Sequence, residues 1–202
     1  PADLSVARDI RRVVRDTFNR FGHIGILVTH VRYNPTGKPS EFTDETVMAS
    51  LEESFLSALR LTREVVPYMK QQRWGRIIHL LPTRVNNPTE GAALSAASQM
   101  ALVGYSKMLA SELAPFNITV NNLLSGPVQT EFLTAALETR AEEQGRTLDD
   151  LTKDIVADIP MRRMGKPEEV GDLVAFLASD RSGYLTGTSV ILDGGAHQMA
   201  SS

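Results

Sequence analysis

The feature that most constrains the fold is an alternation of helix-like segments with short runs of apolar and β-branched residues. The runs GILVTH (25–30), GRIIHLL (75–81) and ITVNNLL (118–124) are nearly continuous in their apolar character, which is typical of strands covered on both faces. The segments between them place apolar residues at helical spacing. This alternation predicts βαβ units, and therefore an α/β fold with a doubly wound parallel sheet.

The helix boundaries follow from capping and stop signals. Asp3 or Ser5 is predicted to cap a first helix that runs to Phe21 and ends at Gly22. Thr43 or Asp44 is predicted to begin a long helix that ends near Met69. Further helices are predicted over 94–113, within 130–160 and from Pro167 to Ala178, and a last strand over 187–193.

Composition bounds the class of protein. A chain of 202 residues fits a single domain, 1–202. It has no cysteine, which excludes disulfides and thiol chemistry and suits a reducing cytoplasm. A net charge of −3 argues against a nucleic-acid partner, and no apolar run is long enough to cross a membrane. His30 and His79 lie near strand ends without the spacing of metal ligands, so we expect no metal site.

The order of segments resembles the short-chain dehydrogenase/reductase family. FGHIGILV, VVPYMKQQRWGRIIHL and ITVNNLLSGPVQTEF are similar to that family's fourth, fifth and sixth strands with their flanks. PMRRMGKPEEVGDLVAFLASDRSGYLTGTSVILDGG is similar to its C-terminal signature. The resemblance implies a Rossmann-like sheet, a nicotinamide cofactor and alcohol–ketone redox chemistry. Fold alone does not carry function, so each site position needs its own comparison.

The resemblance also implies a catalytic set of Asn, Ser, Tyr and Lys, in which the Tyr phenol is the general acid/base and the Lys lowers its pKa. The aligned positions are Ser54, Pro82, Ser95 and Gln99. A serine hydroxyl is a far weaker acid than a phenol, and a neutral Gln cannot lower its pKa. We therefore expect these positions to be degenerate.

The cofactor contacts that the resemblance implies are altered too. Where the family has Asn-Asn-Ala-Gly, this chain has Thr29-His30-Val31-Arg32. The family's glycine-rich phosphate loop is absent from these 202 residues. Thr130 matches a nicotinamide-binding threonine, although a helix N-cap also explains it. We expect no cofactor to be bound by this chain, with NAD or NADP held by a partner subunit.

The phosphate-loop portion of the family fold, with its first three strands, would precede Pro1. Without it, the strand at 25–30 becomes an open sheet edge, which needs cover against aggregation. Two explanations stay open: a preceding segment that lies outside this sequence, or a partner that covers the edge.

These observations lead to a hypothesis of a non-catalytic subunit in a hetero-oligomeric short-chain dehydrogenase. An active paralogue would bind through the helices around 44–70 and 94–114 and the C-terminal strand, in a heterotetramer or another oligomer. The family contains such a pairing in (hydroxy(phenyl)methyl)succinyl-CoA dehydrogenase. The alternatives are a homo-oligomeric protein that binds or senses a small ligand, and an oxidoreductase with atypical chemistry.

Overall fold

A computed structural model describes residues 1–30, 36–85, 88 and 91–196. Seven α-helices and four strands are described there: α1 Ala7–Phe21, β1 Ile26–His30, α2 Asp44–Leu51, α3 Ser57–Gln72, β2 Gly75–Pro82, α4 Ala93–Leu113, β3 Ile118–Ser125, α5 Glu131–Gln144, α6 Leu148–Ala157, α7 Pro167–Ala178 and β4 Ser189–Leu192. Each predicted strand is present, shifted at its ends by no more than two residues.

The four strands form one parallel sheet in the order β1-β2-β3-β4. This confirms the predicted α/β fold with a parallel sheet. Among the described residues β1 pairs only with β2, and two of its apolar side chains are open to solvent, Ile26 at 48% and Val28 at 42%. The strand at 25–30 is thus the open edge that the sequence predicted.

Helices cover the two faces of the sheet. On one face α1, α3 and α4 enclose an apolar cluster that includes Ile77 and Val120, and a second cluster around Leu81 and Leu124. On the other face α7 packs against Ile78 and its neighbours. Burial of these side chains is the main stabilising term, at roughly 25 cal/mol for each Å² of apolar surface removed from water.

Two helix predictions need correction. The predicted helix from 44 to about 69 is interrupted by a π-helical segment, Glu52–Leu56, between α2 and α3. It also continues to Gln72, where Arg73 adopts a left-handed conformation (φ 52°) and ends it. At the first helix the predicted cap is wrong, because Asp3 accepts hydrogen bonds from Ser5 in a preceding turn, and the apolar Val6 holds the N-cap position. Thr43, by contrast, caps α2 as predicted.

The N-terminal end of the sheet is fixed by a buried arginine. The Arg76 guanidinium donates to the carbonyl oxygens of Gly75, Asn117 and Ser179 at 2.8–3.2 Å, and to Asp180 Oδ1 at 3.3 Å. It also stacks over the Trp74 ring, 4.5 Å from its centroid. Burial lowers the pKa of Arg76, and the Asp180 carboxylate opposes that shift. These bonds join β2, β3 and the turn after α7.

Candidate functional site

The candidate site lies at the carboxyl ends of β2, β3 and β4, the edge where open parallel sheets bind ligands. Pro82 ends β2 and pairs in register with Ser125, which in turn pairs with Leu192. Gly126 follows directly and donates its N–H to the Leu192 carbonyl. A Cβ on Gly126 would lie 2.9 Å from the Cβ of Asp193, so only glycine lets these two chain segments approach so closely.

Helix α4 carries two of the predicted positions. Ser95 and Gln99 are one turn apart and therefore lie on the same face of the helix. Both are buried, at 6% and 1% exposure. Within the described residues Gln99 Oε1 has no hydrogen-bond partner. A buried amide oxygen in this state costs about 1–3 kcal/mol unless a ligand or water satisfies it.

The π-helical segment carries a third position, Ser54, which is fully buried. This segment packs against α4, and just before it the Ser50 hydroxyl donates to the Leu94 carbonyl at 3.5 Å. The elements that bear Ser54, Ser95 and Gln99 are therefore neighbours. The fourth position, Pro82, supplies neither a hydroxyl nor an N–H. Insertions of π-helix occur frequently at functional sites.

Thr130 begins α5, as the N-cap interpretation of the sequence predicted. Its hydroxyl oxygen accepts the Leu133 N–H at 3.1 Å, while its proton can still be donated elsewhere. The backbone before it is tied down, because Gly165 N donates to Pro127 O and Gln129 N donates to Gly165 O. The amino-terminal end of α5 thus presents a fixed hydroxyl and a partial positive charge at the site's margin.

The segment aligned with the family's Asn-Asn-Ala-Gly is described only in part. Thr29 turns into the core, where its Oγ1 lies 2.7 Å from His79 Nδ1. His30 is exposed at the end of β1. Val31 and Arg32 lie outside the described residues, so the predicted obstruction by Arg32 stays a prediction. His79 is fully buried, which lowers its pKa to about 4 and keeps the imidazole neutral at pH 7.

Sequence reasoning missed a layer of polar side chains that crosses the sheet below the site, between the two apolar clusters. We call it the polar layer; its strand members are Thr29, His79, Asn122 and Ser189, and its helix members are Thr62 and Ser106. The strand members share one register row. A signal existed in the sequence, since each of the runs GILVTH, GRIIHLL and ITVNNLL carries a polar residue at its fifth position.

A cavity of about 420 Å³ opens beside the site, between α5, α6 and the segment that precedes α7. Aliphatic side chains, among them Leu133, Leu137 and Met164, form its floor, and four cations lie around its rim: Lys153, Arg162, Arg163 and Lys166. Asp149 pairs with Lys153 and Glu169 pairs with Arg163. The rim therefore has a net positive charge in a chain whose total charge is −3.

Across residues 1–30, 36–85, 88 and 91–196, no group of three or more His, Asp or Glu side chains is arranged to hold a metal ion. In the same part of the chain no helix is long and apolar enough to span a membrane.

Comparison with known proteins gives the class and then the family. The chain has the fold of known reductases: it superposes on YwfH, an NADPH-dependent reductase of bacilysin biosynthesis, with a TM-score of 0.90, at 25% identity over 98% of this chain and 76% of that one. The profile of the family described as enoyl-(acyl carrier protein) reductase matches residues 1–197. The chain belongs to the short-chain dehydrogenase/reductase family.

Two curated relatives match nearly the whole chain. One is dehydrogenase/reductase SDR family member 4 of Oryctolagus cuniculus, 36% identical over 94% of this chain and 70% of the relative. The other is acetoacetyl-CoA reductase of Allochromatium vinosum, 31% identical over 96% of this chain and 74% of the relative. The family prediction is confirmed.

The prediction of a non-catalytic subunit is wrong, because the relatives that match nearly the whole chain are named as active oxidoreductases. The substitutions at Ser54, Pro82, Ser95 and Gln99 led to that hypothesis, but a changed residue set does not by itself exclude catalysis. Assembly through α2–α3, α4 and the C-terminal strand stays a prediction.

Proposed function

We propose that this protein is an NAD(P)-dependent oxidoreductase that interconverts a carbonyl compound and an alcohol. The observation that carries the proposal is the fold of the reductases, with the carboxyl ends of its strands, the paired helical positions Ser95 and Gln99 and the capping Thr130 at one edge. The expectation that this chain binds no cofactor rests on the altered segment 29–32 and on the missing phosphate loop, and it stays a prediction; our proposal is the alternative to it, and nucleotide binding decides between the two.

The residues at this edge fit the nicotinamide end of the cofactor. Thr130 has a hydroxyl proton to donate to a carboxamide oxygen, and Gly126 leaves the backbone open. Gln99 offers a buried acceptor with no partner among the described residues, which suits a ribose hydroxyl. No described element supplies a glycine-rich phosphate loop, so we assign no residue to the pyrophosphate.

The roles of the side chains follow from their chemistry. The chemistry that a reduced nicotinamide would supply, when bound, is a hydride, equivalent to two electrons and a proton, for the carbonyl carbon. The Ser95 hydroxyl would donate a hydrogen bond to the carbonyl oxygen and stabilise the charge that develops there. Because serine is too weak an acid to give up its proton, the alkoxide takes its proton from solvent water. The burial of Ser95 strengthens the hydrogen bond, because the effective dielectric constant is lower there than in bulk water.

The cavity beside α5 and α6 suggests the substrate class. Its aliphatic floor fits an apolar chain, and its cationic rim fits an anionic group at the other end. A volume of about 420 Å³ lies within the range of small-molecule sites. We therefore propose carbonyl substrates that carry a carboxylate or phosphate beyond an apolar segment.

The test is oxidation of NADPH and NADH by the purified protein, followed at 340 nm with a panel of ketones. The panel pairs anionic with uncharged ketones of matched chain length. We expect turnover, and a higher kcat/KM for the anionic member of each pair. Ser95→Ala should lower kcat by about 100-fold, the usual effect of losing one oxyanion donor.

Ser106→Ala is the matched control, since Ser106 is also a buried serine on α4 and its hydroxyl donates to the Leu102 carbonyl. It should keep the wild-type kcat. Failure of every ketone, with no saturable binding of either nucleotide, would contradict the proposed function. Equal losses in the two variants would remove Ser95 from the mechanism.

A further inference from the structure

Three side-chain atoms in the polar layer have no protein partner within the described residues: Nε2 of His79, Oδ1 of Asn122 and Oγ1 of Thr62. All three residues are at most 2% exposed. More than about 90% of buried polar groups in folded proteins have a hydrogen-bond partner, either protein or ordered water. Three such atoms in a single layer therefore call for an explanation.

Two of these atoms belong to neighbouring residues of the sheet. His79 and Asn122 are register partners on β2 and β3. His79 uses Nδ1 for Thr29 on β1, and Asn122 uses Nδ2 for Ser189 on β4, at 2.7 and 3.3 Å. Because both side chains bond toward the outer strands, Nε2 and Oδ1 are the atoms left for a partner between β2 and β3.

Helices α3 and α4 cover this face of the sheet, with α3 above β1 and β2 and α4 above β3. Ala58 of α3 packs in the cluster of Leu81, and Val65 of α3 packs in the cluster of Ile77. Leu81 and Ile77 are the residues two positions on either side of His79, on the same face of the strand. Thr62 lies between Ala58 and Val65 on the buried face of α3, so its hydroxyl is at the level of His79.

We propose that one water molecule is bound in the polar layer, held by His79 Nε2, Asn122 Oδ1 and Thr62 Oγ1. The donors and acceptors balance for either imidazole tautomer. If Nε2 carries the proton, water accepts it and donates to Asn122; if Nε2 is bare, water donates to both. The Thr62 hydroxyl takes the remaining valence, which gives three bonds, the usual number for a buried water.

A metal ion fits this place poorly, since one imidazole, one amide and one hydroxyl bring no anionic ligand. Neither Asp, Glu, Lys nor Arg is among the polar-layer residues contributed by β1, β3, α3 and α4. The bound water would link β2, β3 and α3 where the apolar clusters are interrupted, and would hold the imidazole ring in one orientation.

The test is a crystal structure of the whole protein at a resolution that shows ordered waters. We expect one density peak about 2.7–3.2 Å from His79 Nε2 and from at least one of the other two atoms. A direct His79–Asn122 hydrogen bond, or an empty space between these three atoms, would overturn the proposal.

Two threonine variants extend the test to solution. Thr62→Val should shift the ¹⁵N resonance of His79 Nε2 while leaving Nδ1, which contacts Thr29, nearly unchanged. Thr119→Val is the matched control: its hydroxyl is also buried without a partner in the described part of the chain, but it occupies the opposite face of the sheet. It should move neither resonance. Equal shifts in both variants, or none in either, would contradict a water held by Thr62.

Discussion

Arg76 and His79 lie three residues apart on the same strand and are both buried, but they differ in how many of their polar atoms have hydrogen-bond partners. The Arg76 guanidinium bonds four oxygens and stacks on Trp74. His79 has one bond, to Thr29, and an unused Nε2 among the described residues. Arg76 is a structural residue that links the amino ends of the strands through its hydrogen bonds. His79 belongs to a set of buried polar residues, which includes Gln99, with side-chain atoms that have no partner among the described residues.

The largest effect on stability should come from removing the hydrogen bonds of Arg76. Arg76→Ala removes the charged donor shared by the Gly75, Asn117 and Ser179 carbonyl oxygens and the packing of a buried side chain, and we expect a loss of about 3–5 kcal/mol in the free energy of unfolding. Urea denaturation followed by circular dichroism measures it. Asp180→Ala is the control, because that carboxylate is 86% exposed and should contribute less than about 1 kcal/mol. Similar losses in the two variants would show that the carbonyl bonds do not matter.

The second effect is a pH dependence that belongs to His79. Burial lowers the pKa of His79 from 6.5 to about 4. Between pH 4 and pH 6.5 the imidazole is therefore protonated in the unfolded chain and neutral in the folded protein. Burial of the neutral imidazole carries no pH-dependent cost above pH 6.5. As the pH falls from 6.5 toward 4, the free energy of unfolding decreases by up to about 3 kcal/mol.

Denaturation at half-unit steps from pH 7 to 4.5 measures this slope. His79→Asn should flatten it in that window. His23→Gln, which removes an exposed imidazole, should leave it unchanged. If the free energy of unfolding of His79→Asn depends on pH as steeply as that of the wild type, groups other than His79 cause the acid sensitivity.

The smallest effect on stability is expected from two helix caps, which should differ in their effect on nucleotide binding. Thr130 caps α5 and Thr147 caps α6, each by accepting the N–H three residues ahead at 3.1 Å. Either mutation to Ala should cost about 1 kcal/mol of stability. Only Thr130→Ala should also raise the KM for NADPH, because only Thr130 lies at the proposed nicotinamide site. An equal rise in KM for Thr147→Ala would place Thr130 outside it.

Much of the fold could be predicted because it depends on patterns that the chain displays locally. The apolar strands, the capping Thr43 and the Pro at the start of α7 all acted as their residue types suggest. The π-helical segment could not be predicted, since Glu52–Leu56 has the same helical spacing as its flanks. The bonds of Arg76 to Ser179 and Asp180 also escaped prediction, because they join residues more than 100 positions apart.

The site was harder to interpret than the fold. Ser95, Gln99 and Thr130 could be found by their places on α4 and α5, but their chemistry depends on burial and on which atoms already have partners. Reading four substituted positions as an inactive site went further than residue identity allows. The polar layer needed the strand register, which makes neighbours of Thr29, His79 and Asn122 across 93 positions of sequence.

The central claim is that the carboxyl ends of the strands bind the nucleotide and that the amino ends, around Arg76, are structural. Hydrogen exchange with and without saturating NADPH tests this claim most directly. The account predicts that the nucleotide slows exchange of amides at the carboxyl edge, over residues 125–133 and in the first turns of α4. It predicts no change around Arg76, Asn117 and 179–183. Protection confined to the Arg76 end, or the absence of protection anywhere at saturating nucleotide, would contradict it.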